Sequence, residues 1–111
     1  MKILKYKSKT LYINLIFTKE DLKIIDDPYN YFWELYKDEI DSIESYSEFS
    51  EQTITNNYTD NILKNYDEED YGSTEIYFCF SENYTKESLK KAEDLIQQMY
   101  DHFLIKKYLC E

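Results

Sequence analysis

Asp27-Pro28 is the strongest structural signal in the chain: an N-cap carboxylate followed by a proline at the first helical position. From it Tyr29, Phe32, Trp33, Tyr36, Ile40 and Ile43 recur at helical spacing and form one apolar stripe. The spacing predicts an amphipathic helix running to about Ser45, which needs a second layer to cover that stripe. Two segments of period two can supply it. Leu11, Ile13, Leu15 and Phe17 alternate with Tyr12, Asn14 and Ile16, and Thr74, Ile76, Phe78 and Phe80 alternate with Glu75, Tyr77 and Cys79.

Residues 1–17 read as a β-hairpin or one long bent strand, with Lys7-Ser8-Lys9 as the polar break that turns the chain back from Lys2–Tyr6. Thr18, with Glu20 and Asp21 behind it, caps a short helix at about 19–25. Residues 46–57 are rich in Ser, Glu, Thr and Asn and read as a loop. Tyr58, Ile62, Leu63 and Tyr66 suggest a further short helix, ended by a turn at Asp67-Glu68-Glu69-Asp70-Tyr71-Gly72. Thr85 caps the last helix, down which Leu89, Ala92, Ile96, Met99 and Phe103 repeat at 3-4 spacing, with Lys106 and Lys107 near its C-terminal end. The expected order is β-β-α-α-β-α. We expect a single α+β domain over residues 1–111, a small two-layer sandwich with a mostly antiparallel three-stranded sheet and its helices on one face.

Composition enters through charge. The chain has no Arg and no Val, and Gly72, Pro28 and Ala92 are each alone of their kind. Lys, Asn, Ile and Tyr are abundant, the usage of an AT-rich gene. Such a bias favours Lys, yet 13 Lys face 23 Asp and Glu, a net charge of −10 over 111 residues. The excess is localised. Residues 1–17 carry four Lys and no acid, residues 18–84 carry 18 acids and four Lys, and residues 85–111 are neutral. An acidic middle repels nucleic acid and anionic membranes and attracts basic proteins. The 13 Tyr read as packing residues standing in for the absent Val and scarce Ala.

The Lys-rich start and the run Leu11 to Phe17 imitate a signal peptide. However, the run is short, Asn14 interrupts it, and Thr18-Lys19-Glu20-Asp21 follows without a small-residue cleavage site. No segment approaches the ~20 apolar residues of a membrane helix. These readings place the chain in the cytoplasm with reduced Cys79 and Cys110.

Catalytic parts are scarce. With His102 as the one histidine and no Arg, most base-driven and anion-clamping constellations are missing. His102 reads as a solvated or core-edge residue. Cys79 in an apolar strand reads as an inert thiol and not as a nucleophile for His102. Zinc would need a Cys/His cluster that the sequence lacks. Asp67, Glu69 and Gly72 have some spacing of a calcium loop, but Tyr71 and Phe78 stand where ligands are required. We therefore expect no cofactor, no metal and no enzymatic activity.

The acids themselves point to a partner. Glu34, Asp38 and Asp41 fall at i, i+4 and i+7, a one-sided row with only Lys37 to relieve it, and Glu44, Glu48 and Glu51 continue beyond the helix. Such spacing is comparable with that of phosphates along a nucleic-acid strand. The expected contact set is Glu34, Asp38, Asp41, Glu44, Glu48, Asp67, Glu68, Glu69 and Asp70. In size, charge and lack of catalytic parts the chain resembles the small acidic inhibitors of phages and mobile elements: anti-CRISPR proteins, anti-restriction proteins and DNA mimics. That resemblance implies a basic nucleic-acid-binding protein as partner, such as a CRISPR effector or restriction enzyme. Three alternatives stand beside it: an immunity protein against a nuclease toxin, a small carboxylate-metal domain or enzyme using Asp67 to Asp70, and a homodimer formed through the Leu89–Phe103 stripe.

Overall fold

Four antiparallel strands, not three, form the sheet of this protein in its computed structural model, which describes residues 1–7, 9–54 and 72–110. Strands β1 (Lys2–Lys7) and β2 (Leu11–Phe17) pair as a hairpin, the first of the two expected forms and not one long bent strand, with Lys7 opposite Leu11 and Lys2 opposite Ile16. Helix α1 (Pro28–Ile43) follows, then β3 (Ser47–Thr53), β4 (Thr74–Phe80) and helix α2 (Lys86–Cys110). The spatial order is β1-β2-β4-β3, so the two apolar alternating strands lie at the centre. The expected helix at 58–66 and the turn at 67–72 fall outside the described residues, apart from Gly72.

β3 corrects the loop expected at 46–57. Along Ser-Glu-Phe-Ser-Glu-Gln-Thr only Phe49 supplies an inward aromatic, which is too weak a period-two signal to read in isolation. The segment is a strand because β4 pairs with it, Phe49 opposite Phe78 and Ser47 opposite Phe80. An edge strand needs only one buried face and tolerates such polarity. The short helix expected at 19–25 is a single 3₁₀ turn, Asp21–Lys23. Reciprocal bonds hold it, the Thr18 N–H to Asp21 Oδ2 at 2.9 Å and the Asp21 N–H to Thr18 Oγ1 at 3.2 Å.

Both helices lie on the same face of the sheet. Phe17 meets Phe32 of α1 at 6.2 Å and Phe103 of α2 edge-on at 5.7 Å, and Tyr29 of α1 stacks on Phe49 at 5.1 Å. The core joins Leu11, Ile13, Leu15 and Phe17 with Ile76, Phe78, Phe80 and Phe49 beneath Phe32, Ile40, Ile43, Ala92, Leu95, Ile96, Met99 and Phe103. Both expected helical stripes are therefore core. The homodimer expected through Leu89–Phe103 would have to use a surface that the sheet already occupies.

The helix ends follow the sequence signals. Asp27 caps α1 by accepting the Asn30 N–H at 3.3 Å, with Pro28 behind it at the first position. Thr85 and Ser88 cap α2 reciprocally at 3.0 and 3.1 Å. α1 is broken at Tyr36, whose φ of −122° and ψ of 27° are non-helical.

The second sheet face is polar at its centre. Asn14 donates to the Glu75 carboxylate at 2.6 Å, Gln52 donates to the same carboxylate, and Asn14 and Glu75 have no exposure. Tyr6 stacks on Tyr12 at 5.0 Å and Tyr12 meets Tyr77 at 5.8 Å across three strands. The outer strands differ in sign: β1 bears Lys2, Lys5 and Lys7, and β3 bears Glu48 and Glu51. No described helix is long and apolar enough to cross a membrane.

Candidate functional site

Residues 24–54 contain nine carboxylates and a single lysine, Lys37, and all ten side chains are exposed. Asp26 and Asp27 stand at the start of α1, Glu34, Asp38, Glu39 and Asp41 along it, Glu44 at its C-cap, and Glu48 and Glu51 on the edge strand β3. Among the described residues, none of these carboxylates forms an ion pair. The lysines that do pair bind acids elsewhere, as Lys5 does with Glu93 at 2.8 Å, Lys90 with Asp94 and Lys91 with Glu87. A helix whose only role is to stay solvated mixes signs along its outer face. This one does not.

The fold gathers part of this set. Tyr29 lies on Phe49, which brings the start of α1 against β3. Its phenol is pushed up from the ordinary value, first by burial and then by Glu44, Glu51 and Glu48. The Glu51 carboxyl, exposed overall, is also raised, first by partial desolvation and then by Asp27. Like charges from the helix start, the helix end and the sheet edge therefore converge on one side of the molecule.

The structure places Glu34, Asp38, Asp41, Glu44 and Glu48 on the surface, as a contact role requires. The break at Tyr36 falls between Glu34 and Asp38, so they do not belong to one uninterrupted i, i+4 row. Asp38 and Asp41 stay together on the second half of α1, while Glu34 shares a groove with Asp26 and Asp27. Asp67, Glu68, Glu69 and Asp70 lie outside the described residues. Asp26, Asp27 and Glu39 join the acidic surface although periodicity did not single them out, and Glu51, which continues the acidic spacing beyond the helix but was not in the expected contact set, joins it as well. Only the docking of α1 on β3 brings Asp27 and Glu51 together, and no local pattern encodes that.

The remaining candidates, His102 and Cys79, lie apart from each other. His102 is half-buried at the edge of the core, its Nε2 at 2.8 Å from the Tyr31 hydroxyl and its ring edge-on to Phe32. Cys79 is half-buried on the second sheet face, with Thr10 Oγ1 at 3.6 Å, whereas His102 belongs to a helix on the first face. The sheet separates the two. No group of three or more His, Cys, Asp or Glu side chains among the described residues could hold a metal ion. What the acidic surface can do chemically is accept hydrogen bonds and ion pairs from an array of cations.

Comparison of the chain with protein-family models, with curated proteins and with solved structures finds no match.

Proposed function

We propose that this chain is a non-enzymatic inhibitor that lays the acidic side formed by α1 and β3 onto a basic nucleic-acid-binding protein and occupies the surface that nucleic acid would otherwise take. The observation that carries the reading is the set of nine exposed carboxylates in residues 24–54, with one lysine among them and no ion pair to a described residue. Leaving them unpaired concentrates negative potential, which adds to the larger effect of burial in raising the Glu51 and Tyr29 groups. Such a surface steers a cationic partner and competes with phosphates for the same lysines and arginines.

The test is capture from a lysate at low and high salt, followed by nucleic-acid binding measured on what is captured. Basic nucleic-acid-binding proteins should be retained at low salt, released at high salt, and unable to bind DNA or RNA while the chain is present. Captured proteins that hold their nucleic acid undiminished would rule out occupation of that surface.

A further inference from the structure

Four of the five large apolar side chains that stand exposed among the described residues collect at one end of the helical layer. They are Leu35 (48 %), Ile105 (61 %), Tyr108 (72 %) and Leu109 (82 %). Ile105, Tyr108 and Leu109 stand at i, i+3 and i+4 and so share one side of the last turns of α2. The core stripe of that helix finishes at Phe103, and beyond it the apolar pattern continues outward with no described residue covering it. Lys106 and Lys107 lie within the same turn, which makes this tail apolar and basic.

Next to the tail is a groove of about 590 Å³ between α1, the 24–27 segment and α2. Ile24, Ile25, Tyr31 and Leu35 form its apolar lining, and Asp26, Asp27 and Glu34 supply its acids. Lys106 reaches one wall, with Nζ at 5.3 Å from the centre of the Tyr31 ring. Lys107 is exposed and forms no ion pair with a described residue. Groove and tail are therefore complementary twice, apolar to apolar and acidic to basic. Because they adjoin on one molecule, a two-fold axis beside them would let two copies exchange the same contact, the tail of each entering the groove of the other.

We propose that the chain forms a symmetric dimer in which Ile105, Tyr108 and Leu109 of each copy fill the Ile24–Leu35 groove of its partner, with Lys106 and Lys107 facing Asp26, Asp27 and Glu34. The contact has the form of an amphipathic helix in an apolar groove, and exposed apolar patches of this kind mark association surfaces. It differs from a dimer through Leu89–Phe103, which the sheet forecloses; it engages Asp26, Asp27 and Glu34 and leaves Asp38, Glu39, Asp41, Glu44, Glu48 and Glu51 of the acidic surface to a basic partner.

Sedimentation of the full chain tests it with a charge exchange. The wild type should sediment as a dimer at tens of micromolar, twice the 13.6 kDa of one chain. A groove variant, Asp26→Lys with Glu34→Lys, and a tail variant, Lys106→Glu with Lys107→Glu, should each be monomeric with unchanged circular dichroism. Mixed in equal amounts the two variants should dimerise, since each groove then meets a tail of opposite sign. Misfolding of either variant would prevent that rescue, so Leu109→Glu serves as a second, single-site route to a monomer. A monomeric wild type overturns the proposal and leaves the groove to a basic amphipathic segment of another protein. A dimer that survives both Leu109→Glu and the charge reversals overturns it as well.

Discussion

Asn14 and Glu75 are diagonal neighbours on β2 and β4, joined at 2.6 Å and without solvent exposure. The Glu75 carboxylate also accepts from Gln52 on β3, so one side chain links three adjacent strands. Buried polar groups are costly unless satisfied. Glu75→Ala removes the shared acceptor and should destabilise the fold by at least about 2 kcal/mol in urea denaturation. Glu93→Ala removes the half-exposed partner of Lys5 and should cost no more than about 1 kcal/mol. Equal losses in the two variants would mean that the Asn14–Glu75–Gln52 contact does not hold the second face together.

The surface row gives the opposite expectation. Replacing Glu34, Asp38 and Asp41 together with Lys should abolish capture of a basic partner while stability moves by no more than about 0.5 kcal/mol per site. The break at Tyr36 removes direct i, i+4 repulsion between Glu34 and Asp38, so relief on substitution comes mainly from Asp38 and Asp41. Undiminished capture by a folded triple variant would move the contact to other acids.

Glu51 sets a pH dependence whose sign is fixed. Its folded carboxyl lies above the ordinary 4.5, by burial and then by Asp27, so the fold favours the protonated form. That contribution is complete below the ordinary value and is lost as pH rises through the raised one. Glu51→Gln should therefore raise the denaturation midpoint at neutral pH and leave it unchanged below pH 4.5. Asp27→Asn keeps an effective N-cap. It should bring the Glu51 titration, followed by carboxyl NMR, back toward the ordinary range.

The core reports through Phe103, which meets Phe17 edge-on at 5.7 Å and is buried. Phe103→Ala should cost about 3–5 kcal/mol through lost burial and the cavity left behind. A smaller loss, measured by chemical denaturation, would indicate that α2 shifts to fill the space.

Legibility in the sequence followed the strength of local signals. β2, β4 and both helices were readable because each buries a long apolar stripe on one face, and Asp27-Pro28 and Thr85 fixed the helix starts. β3 was hidden because six of its seven residues are polar and its partner strand begins more than 20 residues later. The Tyr36 break carries no proline or glycine to announce it. Asn14, which reads as an interruption of an apolar run, is the residue that satisfies buried Glu75, and its reason becomes visible only when β2 and β4 pair. The acids on α1 were legible as a surface because helical phase puts them opposite the stripe. Their convergence with Glu51 was not, because it is made by docking and not by sequence spacing.

The lysine-bearing edge β1 and the glutamate-bearing edge β3 are separated by three strand spacings, about 14 Å. That exceeds the screening length of about 8 Å at physiological ionic strength. A cation touching β3 therefore feels the carboxylates and is almost blind to the lysines. At greater range in dilute salt the same separation makes the sheet behave as a compass needle, with its poles on its two outermost strands. A positively charged body approaching from any direction exerts a torque that turns the acidic edge toward it. Orientation is then selected before any side chain makes contact, and diluting the salt should narrow the range of productive approaches as well as hasten them.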